Sequence, residues 1–532
     1  MDRSALTLLN IGLLATLSCA EHRTTCSSCS TVVVAAAGEP VSLIPPLIAD
    51  AVGRDVSDLM FERLADLQPG ASPIDPSAYV PRLADHWERV DSLTWRFHLR
   101  PGARWQDGRP VTAEDVVFSF GVYTDSTVDA LARAYLAGQV TARAEDSATV
   151  WLRFARPSPE QLYDATYQVR ILPQHVWEKV ATETWRSDTA LAHLIGSGPY
   201  RVRRWVRGQF LELDADTTAL KVPEIRRLVW RFTPDPDAAL DLLLGHEADL
   251  METVGSPDRA ERVAKDSSIH LVRYPTAAYG FLAFRVADAE GRPHPILADR
   301  AVRRALTAAV DRPSLARAFF GPDTRVPPGP MSQLLWIWDD AIQVVPFDSL
   351  EAKRAIAEAQ VRRPLGRLDI LVPSTSPARR KLALAIQEAW RRVGVSATVT
   401  AVDFPVFQER LARGKFDAYI GAYLDEPSPR GLADQWSRAG WGVLNYGHYS
   451  NPQFDSLLKV AARQTAVGAA RRRWREAMDT LNADAPAIFL YAPTNVAAVH
   501  RRLRNVTIDP FSWASGVPNW RVDQTRVLAD GR

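Results

Sequence analysis

The chain has 532 residues, of which 46% are hydrophobic and 24% are charged, and its formal net charge is +2. This length exceeds what one hydrophobic core usually serves, so two or three domains are expected. The near balance of 64 basic and 62 acidic residues gives no electrostatic reason to expect nucleic acid or an anionic membrane surface as a partner.

The N-terminus carries an apolar, uncharged stretch, ALTLLNIGLLATLSC, that ends at Cys19. It has the length of a signal-peptide core and is too short to span a bilayer as a helix, which takes roughly 20 apolar residues. We therefore predict that residues 1–19 are a lipoprotein-type signal peptide and that Cys19 is the lipidated first residue of the mature chain. Residues 20–30 are predicted to be a flexible tether. Cleavage without lipidation is the alternative.

All three cysteines lie within the first 29 residues, at Cys19, Cys26 and Cys29. A body without thiols suits an oxidising compartment outside the cytoplasm. Cys26 and Cys29 could bind a metal or close a small disulfide. They have no cluster of further Cys or His near them, so the segment indicates a spacer rather than a metal site. The predicted location is periplasmic or otherwise extracytoplasmic, with lipid anchoring to the membrane.

The first ordered elements are a short apolar strand at 32–34 and an alternating strand at 93–100, LTWRFHLR. Two glycine turns follow the second strand. Thr112 and Asp115 then have the spacing of a capping box, in which a hydroxyl and a carboxylate each satisfy a backbone amide of the other. An apolar, buried helix is predicted after this box.

Residues 196–214 predict a glycine turn and then a hairpin that bends at 206–208. A helix is predicted to start at the capping residue Asp299, and a second one is predicted to start at Asp311 and to end at Gly321.

From residue 368 onward, strand and helix patterns alternate: LDILVP, a helix from Ser376 to Gly394, VSATVTAV, FPVFQERLARG and FDAYIGAY. This βαβαβ order predicts right-handed crossovers on a mainly parallel sheet. Two more helices are predicted near 452–463 and 468–483, and a closing strand at 487–493.

Four motifs in this order resemble the bacterial extracellular solute-binding proteins of family 5, the oligopeptide, dipeptide and nickel class that serves ABC importers. They are PRLADHWERVDSLTWRFHLRPGARWQDGRPVTAEDVVFSF, GSGPYRV, PILADRAVRRALTAAVDRPSL, and NYGHYSNPQFDSLL followed by RRRWREAMDTLNADAPAIFLY. Each motif alone is weak, whereas their order along the whole mature chain makes the resemblance specific.

The resemblance implies an α/β fold of the two-lobe periplasmic-binding-protein type, class II, with three subdomains, mixed sheets and a ligand cleft between hinged lobes. It implies that residues 31–72, 195–280 and 500–532 form lobe I. Residues 73–194 would be a small insert subdomain of lobe I, and residues 281–499 would form lobe II. The chain would cross between the lobes near Tyr279 and again near Tyr491–Asn495.

The function implied is capture of a peptide or peptide-like solute outside the cytoplasm and its delivery to an ABC permease in the inner membrane. A monomer is expected, with no cofactor, no metal, no nucleic acid, and membrane contact only through the lipid anchor. Binding of a non-peptide solute, such as a nickel chelate or an oligosaccharide, and a ligand-sensing receptor domain remain open. An enzyme is not expected, because the sequence lacks G-x-S-x-G, H-E-x-x-H and a Walker A lysine loop.

The resemblance also points to a binding loop. In peptide binders of the family, an Asp four residues before the Pro of an Asp/Glu-Pro pair anchors the α-amine of the ligand. Counting back from Glu426-Pro427 gives Tyr423, so the usual anchor is replaced here and Asp425 is the nearest substitute. Tyr423 would stack on a ring or bond a neutral polar group, with simple loop packing as the alternative.

Further ligand-binding candidates are aromatic or charged residues around that loop. Tyr279, Trp436, Trp441 and Tyr446 are candidates because aromatic side chains commonly line the pocket in this family, with core packing as the alternative for each. Glu426 is also a candidate. Arg430 is expected to pair with Glu426 or to receive a ligand carboxylate, and a solvated salt bridge is its plainer alternative.

Overall fold

The computed structural model describes residues 30–48, 50–128, 130–219 and 221–523. The predicted signal peptide and the three cysteines therefore lie outside the described residues. Within the described part, no helix is both long enough and apolar enough to cross a membrane.

The first half of the chain contains twelve strands and seven α-helices in its described residues. In chain order they are β1 (Thr31–Ala36), α1 (Ala51–Met60), β2 (Ala65–Leu67), β3 (Tyr79–Pro81), β4 (Ala84–Arg89), β5 (Thr94–Leu99), α2 (Ala113–Thr124), α3 (Arg133–Leu136), β6 (Val140–Ala144), β7 (Thr149–Phe154), α4 (Gln161–Thr166), α5 (Gln174–Trp177), β8 (Tyr200–Val206), β9 (Phe210–Ala215), β10 (Arg227–Phe232), α6 (Pro236–Leu244), β11 (Leu250–Met251), α7 (Pro257–Ala264) and β12 (Ile269–Pro275).

The second half continues with helices and strands in alternation. They are β13 (Ala278–Phe284), α8 (Arg300–Ala308), α9 (Arg312–Phe320), α10 (Ser349–Arg362), β14 (Leu368–Pro373), α11 (Pro377–Arg392), β15 (Ala397–Val402), α12 (Phe404–Ala412), β16 (Ala418–Leu424), α13 (Leu432–Trp436), α14 (Pro452–Ala461), α15 (Val467–Asp484), β17 (Ala487–Tyr491), β18 (Thr494–His500), β19 (Leu503–Arg504) and β20 (Arg521–Val522).

Lobe I is built on a seven-stranded mixed sheet in the order β12-β18-β11-β1-β10-β9-β8. Strand β1 is parallel to β10 and β11, while β8 and β9 form the antiparallel hairpin predicted from the glycine turn. A separate four-stranded antiparallel sheet, β4-β5-β7-β6, forms the centre of the insert subdomain.

Lobe II is built on a five-stranded sheet in the order β15-β14-β16-β13-β17. Strand β14 is parallel to both β15 and β16, which confirms the βαβαβ prediction. Strand β13 is antiparallel to β16 and β17, so the sheet is mixed. The two sheets, each with helices packed on it, give the α/β two-lobe fold that was expected.

The chain passes between the two sheets at two neighbouring places, after β12 and after β17. The two connections touch, because the backbone N–H and the hydroxyl of Thr276 both donate to the carbonyl of Pro493, at 3.1 and 3.0 Å. Strand β18 pairs with β12 and β11. Its residues, 494–500, therefore lie in the lobe I sheet, although the predicted lobe II range extends to residue 499. Strand β13 begins at Ala278 and belongs to the lobe II sheet, so residues 278–280 lie in lobe II rather than in the predicted lobe I range. The other boundaries remain predictions.

The passage after β5 forms the predicted capping box in full. The hydroxyl of Thr112 accepts the backbone N–H of Asp115, and the carboxylate of Asp115 accepts the backbone N–H of Thr112. Helix α2 follows directly. The indole N–H of the buried Trp105 donates to the same carboxylate at 3.1 Å. The turn segment itself does not become a strand: it makes a single bridge between Arg104 and Pro110, and β5 pairs with β4 and β7 instead.

Two glycines fix the contact between α1 and the start of β8. The N–H of Gly198 donates to the carbonyl of Met60 at 2.8 Å. A Cβ on Gly196 would lie 1.8 Å from that same carbonyl oxygen, so no larger residue fits without a backbone shift. The predicted glycine turn is thus required by close backbone packing within lobe I.

Candidate ligand-binding site

A cavity of about 170 Å³ lies between the lobes, where the loop after β16 faces the insert subdomain. We call residues 424–435 the binding loop. Most of the cavity wall comes from this loop, and the rest comes from Leu335 and Leu444 of lobe II and from Tyr135 of the insert. The cavity therefore has walls from both lobes.

The sheet holds the start of the binding loop in place. Leu424, the last residue of β16, pairs with Ala278 of β13. The next residue, Asp425, donates its backbone N–H to the carbonyl of Ala277 at 2.6 Å. Its side chain therefore leaves the edge of a rigid strand rather than a free loop.

The carboxyl of Asp425 has an unusual environment for an acid. One carboxylate oxygen accepts the backbone N–H of the buried Ser332 at 2.5 Å. No salt bridge joins Asp425 to a basic residue in the described chain. Burial raises the pKa of this carboxyl to about 7, against a partial lowering by the backbone hydrogen bond from Ser332.

Two further acids line the cavity. Glu426 is exposed and accepts a hydrogen bond from the side-chain amide of Gln168 in the insert, at 3.4 Å. Burial raises the pKa of Asp434 above its usual value. None of the described residues that line the cavity is basic. The polar side of the wall is thus suited to a cation, while Leu335 and Leu444 supply apolar surface.

Arg430 of the binding loop does not form the expected pair with Glu426. Its guanidinium points into the insert subdomain, where it lies 2.6 Å from Asp164 and 3.7 Å from Glu160. The geometry also disfavours the other expected role for Arg430, binding of a ligand carboxylate in the cavity. Its guanidinium is already paired with the two acids of the insert.

Tyr279 and Trp436 lie behind the cavity wall rather than on it. Both are buried in the lobe II core, at 0% and 3% exposure. The hydroxyl of Tyr279 donates to the Oε1 of Gln435 at 2.6 Å and accepts the indole N–H of Trp436 at 3.1 Å. Gln435 lines the cavity. The two aromatic residues therefore position a polar group of the site.

Tyr423 and Tyr446 also support the wall from behind. The hydroxyl of Tyr423 donates to the carbonyl of Leu444 at 2.7 Å, and the backbone N–H of Tyr446 donates to the same carbonyl at 3.0 Å. Leu444 faces the cavity. Burial raises the pKa of Tyr423, so its phenol stays neutral.

Trp441 lies apart from the cavity. Its indole N–H donates to the carbonyl of Tyr449 at 2.8 Å, and Arg438 stacks on its ring at 3.5 Å. Tyr135, Ser332 and Gln435 are not among the site residues predicted from the sequence. Gln435 directly precedes a predicted candidate, whereas no local pattern marks the other two.

The described residues contain no group of three or more His, Cys, Asp or Glu side chains that could hold a metal ion. The polar groups of the cavity wall are the enclosed carboxyl of Asp425, two further acids, and amide and hydroxyl groups. Leucine side chains supply its apolar surface.

Comparison with known proteins agrees with this architecture. The Escherichia coli (strain K12) dipeptide-binding protein is 24% identical over 513 residues, covering 90% of this chain and 92% of the relative. An ABC transporter substrate-binding protein, CtaP from Listeria monocytogenes, superposes with a TM-score of 0.81 at 20% identity, covering 93% of this chain and 99% of that one.

The oligopeptide-binding protein AppA from Bacillus subtilis, solved with a nonapeptide, superposes with a TM-score of 0.74 at 21% identity and covers 92% of this chain and 98% of that one. The sequence profile of the bacterial extracellular solute-binding proteins, family 5 middle region, matches residues 78–442. This match spans more than half of the chain. It agrees with the two-lobe fold and with the cavity that has walls from both lobes. The chain belongs to the bacterial extracellular solute-binding proteins of family 5.

Proposed function

We propose that the protein captures a peptide or peptide-like solute between its lobes and delivers it to an ABC permease outside the cytoplasm. The observation that carries the proposal is the carboxyl of Asp425, which lines the cavity between the lobes and has no basic partner among the described residues. Membership of family 5 supports the role in solute uptake. The relative named for dipeptides and the AppA complex with a nonapeptide support a peptide as the solute.

The chemistry of the cavity favours the amino end of a peptide. An ammonium placed against Asp425 would give this carboxyl the opposite charge that its enclosed position lacks. Glu426 and Asp434 add negative charge to the same wall. None of the lining residues that the structure describes is basic, so none of them would repel an ammonium or attract a carboxylate. Leu335 and Leu444 would contact an apolar first side chain.

The size of the cavity sets how much of a ligand it holds. At about 170 Å³ it is smaller than the roughly 300–1,000 Å³ typical of pockets for drug-sized molecules. In this arrangement it suits one end of a peptide. A longer ligand would extend along the interlobe crevice, where hinge motion changes the available space.

Calorimetric titration tests the amine assignment. The probes are tripeptides with Leu, Phe or Tyr first and two alanines after it, each with a free or an acetylated N-terminus. We expect binding of the free peptides, weakened at least about tenfold by acetylation, since an ammonium–carboxylate bond in an enclosed site is worth more than 1.4 kcal/mol. Asp425→Asn should abolish this preference.

A matched control uses another acid of the same wall, Asp434→Asn, which should leave most of the preference intact. Equal binding of acetylated and free peptides by the unaltered protein would refute the amine assignment. So would an equal loss from the two substitutions, because the effect would then come from the overall negative charge of the wall.

We also propose that the chain is exported through its leader, is lipid-anchored at Cys19 and acts as a monomer. The apolar core before this residue and the spacer after it support the anchor. Labelling cells with radioactive palmitate should mark the protein in the membrane fraction. A Cys19→Ser variant should lose the label, and a label that persists would contradict the assignment.

A further inference from the structure

The binding loop is tied to the insert subdomain by a compact polar contact. Nη1 of Arg430 lies 2.6 Å from a carboxylate oxygen of Asp164 and 3.7 Å from one of Glu160. The hydroxyl of Ser428 donates to Glu160 at 2.7 Å and accepts the backbone N–H of Arg430 at 3.2 Å. The contact therefore joins two residues of lobe II to two acids on the other side of the crevice.

This contact is enclosed rather than solvated. The side chains of Arg430, Glu160 and Asp164 are only 19%, 14% and 13% exposed. The guanidinium carbon lies 3.7 Å from the ring centre of Tyr135 and 5.3 Å from that of Tyr163. An ion pair shielded in this way is screened far less than a surface pair. We call Glu160, Asp164 and Tyr135 the acidic socket.

Arg430 supplies positive charge to both buried acids of the acidic socket. Burial raises the pKa of Glu160 to about 7 and raises that of Asp164, although Arg430 lowers both. Nε and Nη2 of Arg430 have no hydrogen-bond acceptor among the described residues. The guanidinium is thus held by the two carboxylates at one end and by aromatic rings, and leaving the socket would expose all of these groups to water.

The acidic socket and the cavity share structural elements. Tyr135 and Ser428 line the cavity, and both also take part in the contact with Arg430 or Glu160. Asp425 belongs to the same loop, five positions before Arg430. A ligand in the cavity and Arg430 in the socket would therefore stabilise the same arrangement of the loop against the insert.

We propose that Arg430 is a positioning residue for solute capture. Its docking in the acidic socket holds the binding loop against the insert, an arrangement that we call the closed form, and this contact sets the lifetime of that form. Arg430 does this without contacting the ligand. The inference rests on the proposed function only in placing the solute in this cavity. The interlobe contact itself can be tested in the absence of any ligand.

The test is an Arg430→Met variant, which keeps the length and apolar volume of the side chain but removes its charge. Hydrogen–deuterium exchange should speed up about tenfold in the backbone amides of 425–432 and 160–168, and the radius of gyration from X-ray scattering should increase. The dissociation rate of Leu-Ala-Ala should rise about tenfold, within the range of couplings between contacting residues, while its association rate stays within about twofold.

The matched control is Arg438→Met, which removes an arginine that stacks on Trp441 within lobe II. It should leave all three measurements unchanged. Adding Asp164→Asn to Arg430→Met should have much less effect than Asp164→Asn alone, because the partner charge is already gone.

Unchanged exchange and scattering in Arg430→Met would overturn the inference, whether or not any peptide binds. Faster exchange and expansion without ligand would support the interlobe contact even if Leu-Ala-Ala fails to bind, in which case the proposed ligand alone would be refuted. Fully additive effects of Arg430→Met and Asp164→Asn would also overturn the inference, since they would show that the two side chains act independently.

Discussion

The enclosed carboxyl of Asp425 makes peptide binding pH-dependent in a defined direction. In the free protein its pKa is about 7, so below pH 7 the group is mostly protonated. A peptide ammonium binds the ionised form. Below pH 7 each binding event must therefore release a proton, and the affinity must fall as the pH falls.

The magnitude follows from the size of the pKa shift. If ammonium binding returns the carboxyl to an ordinary pKa near 4, the dissociation constant rises about tenfold for each pH unit below 7. Between pH 7.5 and pH 5.5 the total change in the dissociation constant is roughly twenty-five-fold. The peptide amine, with a pKa of about 8, is mostly protonated throughout this window. Its partial deprotonation near pH 7.5 weakens binding in the opposite direction and so does not produce the effect.

Titration calorimetry at several pH values, in buffers of different ionisation enthalpy, measures both the affinity and the number of protons released. Glu160 also has a pKa of about 7, so Glu160→Gln serves as a control and should retain the slope. The slope should vanish in Asp425→Asn. A flat affinity profile in the unaltered protein, or the same slope in Asp425→Asn, would refute the reasoning.

Three other substitutions test the packing that supports the site. Gly196→Ala should destabilise lobe I by roughly 1–3 kcal/mol, because its Cβ would lie 1.8 Å from the carbonyl oxygen of Met60. Denaturant unfolding measures this change, and an unchanged unfolding midpoint would contradict the contact. Tyr279→Phe should lower the free energy of unfolding by about 1–3 kcal/mol, because the side-chain oxygen of Gln435 loses its hydrogen-bond donor. The same substitution should weaken peptide binding, and an unaltered affinity would show that the position of this amide is irrelevant. Thr112→Ala should lower the free energy of unfolding by about 0.5–2 kcal/mol, because it removes a helix cap. It should leave the peptide affinity unchanged, and a change in affinity would contradict the purely structural role of this residue.

The sequence predicted those parts of the fold that depend on local pattern. The alternation of apolar residues at 93–100 and the βαβαβ order after residue 368 each rest on neighbouring residues, and the structure contains both. The capping box was equally visible, because its two residues are three positions apart.

The composition of the cavity was harder to predict because it depends on contacts between distant segments. Tyr135 lies about three hundred positions before the binding loop that it faces, and nothing in its local pattern marks it as part of a site. The register of β13 and β16 places Tyr279 opposite Tyr423, and their side chains enter the core of lobe II. A single sequence indicates neither this register nor the side of the sheet that each residue faces.

Arg430 illustrates the same limit in electrostatic terms. Proximity in the sequence favoured Glu426 as its partner, at a separation of four residues. The folded chain offers two buried carboxylates from the insert subdomain, Glu160 and Asp164, and their charge and enclosure outweigh the proximity of an exposed glutamate.

The most direct measurement is a crystal structure of the protein with a bound tripeptide that has a free N-terminus. The account predicts the peptide between the two lobes, with its ammonium nitrogen within hydrogen-bond distance of Asp425. A peptide bound outside the crevice, or bound within it with its carboxylate toward Asp425, would contradict the account.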